Sequence, residues 1–154
     1  DLSQPGQYAA SEQVDVIGPK GEFKGVRVLG PARPESQLEV SATDTRKLGV
    51  HSPYRHSGDT KGTPGVKFRG PKGEVSLDHG AIIALRHLHC DPASAQELKL
   101  ADRQSISIRI PGPRGLVFEN VLVRVNKDFA LAFHVDTDEG NAAGLEPGVS
   151  GSIV

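Results

Sequence analysis

Gly18-Pro19-Lys20-Gly21 recurs as Gly70-Pro71-Lys72-Gly73 and again, with one change, as Gly112-Pro113-Arg114-Gly115. Each copy stands between short runs rich in Val, Ile and Leu, where Pro presets one turn dihedral and Gly admits the left-handed ones, as a hairpin requires. With 18 Gly and 11 Pro among 154 residues, the punctuation is too dense for a helical bundle and predicts a mainly β chain. Working outward from the turns, strands are expected over 14–17, 23–29, 36–40, 66–68, 74–77, 81–88, 105–110, 116–125, 129–134 and 148–154. Brief helices are expected over 43–48, 92–98 and 138–145.

The repetition reaches beyond the turns. Glu39 follows Gly18 by 21 residues, His89 follows Gly70 by 19, and His134 follows Gly112 by 22. Two residues past each comes a helix-capping side chain, Ser41, Asp91 or Asp136, and eleven past each an apolar one, Val50, Leu100 or Leu145. Ser41-x-x-Asp44 and Asp136-x-x-Glu139 have capping-box character, and Pro92 suits a first helical position. The unit is therefore hairpin, strand and short helix, with a special side chain where the strand ends. For the turns alone, scaffold symmetry is an equally good account.

Arg86-His87-Leu88-His89-Cys90-Asp91 carries the strongest chemical signal. On a strand, alternation puts His87 and His89 on one face, about 6–7 Å apart, and Leu88 and Cys90 on the other. A His-x-His pair is often no more than two polar residues facing water. The equivalent repeat positions of His134 and Glu39 shift the reading toward a metal site, with zinc favoured by imidazole and carboxylate donors. His134 could instead be a strand end bonded to a backbone carbonyl. Glu39, between Leu38 and Val40, is a costly carboxylate unless paired or metal-bound, or else an outward-facing strand residue. Asp136, Asp138 and Glu139 read as helix N-terminal charge. Cys90 points away from the histidine face into the core, so no nucleophilic triad can be built. His51, His56 and His79 read as surface residues. Arg33, in the stiff Gly30-Pro31-Ala32-Arg33-Pro34 loop, suits an oxyanion or phosphate beside a metal, with an exposed loop arginine as the alternative.

The balance of 18 Lys and Arg against 19 Asp and Glu, without basic blocks, argues against nucleic acid or an anionic membrane as partner. The single cysteine, Cys90, fits a reducing compartment. No apolar run is long enough for a transmembrane helix and no targeting pattern opens the chain. The count of zero Met predicts that the first residue is not the translated start.

At these residues the chain resembles the phosphate propanoyltransferases, the phosphotransacylase family associated with bacterial microcompartments. The resemblance is carried by Asp1–Ala10, Val28–Arg33, Arg86–His89, Arg114–Phe118, Asn120–Val125 and His134–Glu139, nearly end to end. It implies two small β-barrel domains capped by short α-helices, with segments 1–84 and 85–154. It also implies a dinuclear zinc site and transfer of a propanoyl or acetyl group between coenzyme A and phosphate, acyl phosphate being the product. It assigns Glu39, His87, His89 and His134 to the metal and Arg33 to phosphate, as catalytic residue. Further implications are a bacterial cytoplasmic setting at a microcompartment in propanediol degradation, shell or lumen partners there, and a homo-oligomer. The family's Arg-His-x-His strand, which adds two histidine ligands, has no counterpart in these 154 residues, so one zinc rather than two is expected. Two competing readings are a zinc hydrolase, because His87-x-His89-x-Asp91 resembles the metallo-β-lactamase pattern although Pro92 stands where a His is expected, and a β-barrel module with structural zinc.

Overall fold

The computed structural model describes residues 2–154; Asp1, which opens one of the resembling segments, lies outside them. The chain divides into two compact units, residues 1–84 and 85–154; the structure is mainly β, with a curled half-barrel sheet and a few short helices. Among the described residues no helix is long and apolar enough to cross a membrane.

The first unit runs β1 (Tyr8–Ile17), β2 (Glu22–Gly30), β3 (Leu38–Glu39), α1 (Ala42–Leu48), β4 (Tyr54–Arg55), β5 (Lys67–Gly70), β6 (Gly73–Ser76) and β7 (Ala81–Ala84). The first two Gly-Pro-Lys-Gly turns both close antiparallel hairpins, β1–β2 and β5–β6, within one sheet of order β2-β1-β5-β6. A second, parallel sheet sets β7 between β3 and β4. Val16, Leu38, Leu48, Val66 and Ile83 form the core between them. The first turn also seats α1: the Lys20 N–H donates to the Leu48 carbonyl at 3.0 Å, and a Cβ on Gly18 would fall on that same oxygen. Glycine is required there by close approach rather than by its dihedrals.

The second unit runs β8 (His87–Cys90), α2 (Pro92–Glu97), β9 (Ser105–Ile110), β10 (Leu116–Val125), β11 (Ala132–His134), α3 (Thr137–Ala143) and β12 (Ser152–Ile153), with sheet order β11-β8-β10-β9-β12. The third turn joins β9 to β10 antiparallel. β8 lies inside the sheet, parallel to β10 and antiparallel to β11. One face of these strands buries Leu88, Cys90, Phe118, Val121 and Val123 against Ile108.

All three helices are built alike. Ser41, Asp91 and Asp136 are the N-caps, with reciprocal capping boxes at Ser41/Asp44 and Asp136/Glu139 and Pro92 in the first turn of α2. At the other end the N–H groups of Val50, Leu100 and Leu145 reach back to the carbonyls of Thr45, Ala95 and Gly140 at 3.1, 2.8 and 2.9 Å. The residue before each of them is left-handed: Gly49 at φ 75°, Lys99 at 56° and Gly144 at 62°. These are Schellman endings, and they are what the recurring apolar residue eleven positions on marks.

The expected strand over 81–88 is two strands, because the chain leaves the first unit after Ala84 and its apolar run feeds two different sheets. The strand expected over 129–134 begins only at Ala132: Asn126 accepts from Asp128 N through its side chain and from Phe129 N through its carbonyl, so those residues are a turn. The expected 36–40 and 148–154 shrink to two residues each, and β4, which follows Pro53, was not expected from its pattern.

Candidate metal centre

β8 and β11 bring three of the expected ligands together. The ladder sets His134 opposite His87 and Ala132 opposite His89, so alternation places all three imidazoles on the face away from the Leu88 and Cys90 core. Their ring centroids lie 4.7 Å (His87–His89), 5.1 Å (His87–His134) and 4.6 Å (His89–His134) apart. Phe129 closes the group by stacking on His89 at 4.0 Å, and His89 is left 7% exposed. Burial, then the neighbouring His134, His87 and Arg124, pushes the His89 pKa down to about 3. Burial, then His87 and Arg124, pushes His134 down to about 4. Near neutral pH both rings are uncharged, the state in which imidazole ligates a metal.

The donors fit a zinc-type ion in one specific respect. Both ring nitrogens of His89 are buried and have no hydrogen-bond partner among the described residues, an expensive condition that coordination through one of them would relieve. His87 Nδ1 meets the Leu85 carbonyl at 2.8 Å, the kind of bond that fixes a ligating ring's tautomer. His87 and His134 are stacked while His89 is tilted against both, and among the described residues no group of three His, Cys, Asp or Glu side chains is posed to hold an ion.

Glu39 belongs to the first unit and is exposed between buried Leu38 and Val40. It is nonetheless held: Gln37 Nε2 donates to its Oε1 at 2.7 Å and Ser57 Oγ to the same oxygen at 3.0 Å. Gln37 Nε2 also donates to Ser57 Oγ at 3.0 Å, and Gln37 Oε1 accepts from Gly58 N at 2.7 Å. Both bonds to the carboxylate fall on one oxygen, and Oε2 is left for another partner. Arg33 lies on an exposed loop before β3.

Asp91 spends its carboxylate on the α2 cap, accepting from Ala93 N, Ser94 N and Ser94 Oγ. Glu139 completes its capping box with Asp136 and pairs with Arg86 at 2.8 Å, so these two carboxylates serve the start of α3. Cys90 is fully buried, and burial pushes its thiol pKa up. His51 and His56 are exposed. His79 sits beside Asp78 at 2.6 Å and Glu35 at 3.7 Å, an ion-pair setting that raises its pKa.

Three residues of this chemistry had no signal in the sequence reading. Gln37 and Ser57 meet Glu39 only through folding. Arg124, opposite His89 in the β8–β10 ladder, shares the histidine face, and only the parallel register reveals it.

The family model of phosphate propanoyltransferase matches residues 1–146. The chain is 48% identical to a phosphate propanoyltransferase of Enterococcus faecalis over 154 residues, covering 100% of this chain and 73% of the relative. It is 51% identical to that of Thermotoga maritima over 149 residues, 96% and 71% of the two chains. It is 49% identical to that of Salmonella typhimurium over 146 residues, 94% and 70%. With that match spanning both units, the chain belongs to the phosphate propanoyltransferase family.

Proposed function

We propose that this chain is a phosphate acyltransferase that moves a short acyl group, propanoyl or acetyl, between coenzyme A and phosphate with the help of zinc. The observation that carries this reading is the neutral, enclosed His87–His89–His134 cluster, with unpartnered His89 nitrogens, in a chain of this family. In the second unit those three histidines are the residues that would hold zinc, and in the first unit Glu39 is. Bound there, zinc would supply Lewis-acid polarisation of the thioester carbonyl and a partner for the departing thiolate.

The protein's own part is positioning. Arg33 offers a planar fork of donors that orients the phosphate oxygens. A phosphate oxygen attacks the thioester carbonyl carbon, the C–O bond forms, the C–S bond breaks, and coenzyme A leaves as thiolate. No acyl-enzyme is needed, in keeping with Cys90, the one thiol, lying in the core with a raised pKa. A bacterial cytoplasmic location at a microcompartment belongs to the same reading and is supported by the family alone.

The test is formation of acyl-coenzyme A from acyl phosphate and coenzyme A, with and without chelator. The expected result is turnover that chelation abolishes and zinc restores. Turnover indifferent to chelation overturns the metal, and no turnover with zinc supplied overturns the transferase.

A further inference from the structure

Arg124 lies at the histidine cluster and is half-buried. Its ladder partner is His89, and its guanidinium carbon stands 5.9 Å from the centre of the Phe129 ring, the ring that stacks on His89 at 4.0 Å. Its charge reaches both His89 and His134, contributing to their lowered pKa values. Yet among the described residues no carboxylate pairs with it, whereas nearby Arg86 is bonded to Glu139 at 2.8 Å. A half-buried guanidinium beside three imidazoles, with no acid paired to it among the described residues, is an uncompensated cation. The sheet could have neutralised it with an acidic neighbour; leaving it bare keeps a positive field at the very face where the chemistry is placed.

We propose that Arg124 is the anchor of an oxyanion site on the histidine face and binds the phosphoryl group of phosphate or acyl phosphate there. The ligand class follows from the donor. A guanidinium matches two oxygens of one phosphoryl group in a bidentate fork, and it does so best where solvent is partly excluded. The proposal deepens the acyl-transfer reading and rests on it for the identity of the substrate.

Binding is measured by titration calorimetry on the full zinc-treated chain, with inorganic phosphate, acetyl phosphate and coenzyme A as separate ligands. The proteins are the wild type, Arg124→Gln and Arg124→Lys. We expect Arg124→Gln to weaken phosphate and acetyl phosphate at least about tenfold, as loss of a charge-assisted bond does, with coenzyme A binding unchanged. Arg124→Lys recovers part of the affinity but not all, because charge returns without the fork. Phosphate binding unchanged in both variants overturns the proposal, as does a loss confined to coenzyme A. Should Arg124→Gln not fold, Arg124→Lys equal to wild type is overturning by itself. Wild type that binds phosphate through Arg124 but turns over no acyl phosphate sinks the transferase reading and leaves this site standing.

Discussion

β3 and β8 end at the same place in the repeat, just before a capped helix, yet they present their special side chains in opposite settings. β8 is an interior strand between β10 and β11; its imidazoles pack at 4.7 Å from each other, with His87 stacked on His134 and His89 on Phe129. β3 is a two-residue edge strand paired only with β7, and its Glu39 stays wet, steadied by Gln37 and Ser57. The repeat fixes where along the chain a side chain emerges, and the number of neighbouring strands fixes how dry it is. A neutral imidazole tolerates enclosure; an ionised carboxylate does not unless it is paired. Each strand end therefore carries the residue type that its surroundings permit.

The largest effect that could break this comparison is expected from the dry end. His87→Ala/His89→Ala should lose nearly all bound zinc, with acyl transfer down on the order of 10²–10³-fold, as fits the several kcal/mol that Lewis-acid assistance supplies. Elemental analysis and the coupled assay read this out, and full zinc content in the double variant would remove the cluster from consideration. At the wet end, Gln37→Ala/Ser57→Ala should weaken zinc binding about 10–100-fold, the usual cost of losing the bonds that orient a ligand. Ser57→Thr, which keeps the hydroxyl, should restore most of it. Competition with a chromophoric chelator measures both, and affinity as in wild type would mean the network serves the loop alone.

A smaller effect separates the two ends by pH. In the zinc-free chain the native pKa values of His89 and His134 are about 3 and about 4, below the 6.5 of an ordinary imidazole. Well above pH 6.5 neither state is protonated and these groups contribute nothing to the pH dependence. As pH falls from there toward 4, the unfolded chain takes up protons that the native state refuses, so stability declines. Denaturant midpoints between pH 7.5 and 4.5 should slope accordingly, and His89→Phe should flatten the slope; an equally steep curve in that variant would show that burial of His89 is not its source. The smallest effect concerns the helices rather than the ligands. Lys99 holds a left-handed dihedral that Gly49 and Gly144 hold in the other two repeats, so Lys99→Gly should stabilise by about 0.5–1 kcal/mol. A destabilised variant would argue that the long side chain contributes packing which the repeat pattern does not show.

What the sequence determined by itself was whatever its own neighbours decide. The three hairpins, the three N-caps and the orientation of His87 and His89 away from Leu88 and Cys90 depend on contacts a few residues apart, and turn chemistry, capping and strand alternation are all local. The family resemblance added roles but no geometry. Only the tertiary structure decided that the apolar run over 81–88 serves two sheets, that Tyr54–Arg55 forms a strand beside β7, and that Phe129 leaves its expected strand to cover His89. It alone gave Glu39 its Gln37 and Ser57 partners and set Arg124 across from His89. Each of these rests on pairing between residues distant in sequence, where no single segment carries the pattern and the free energy is gained only when the partners meet.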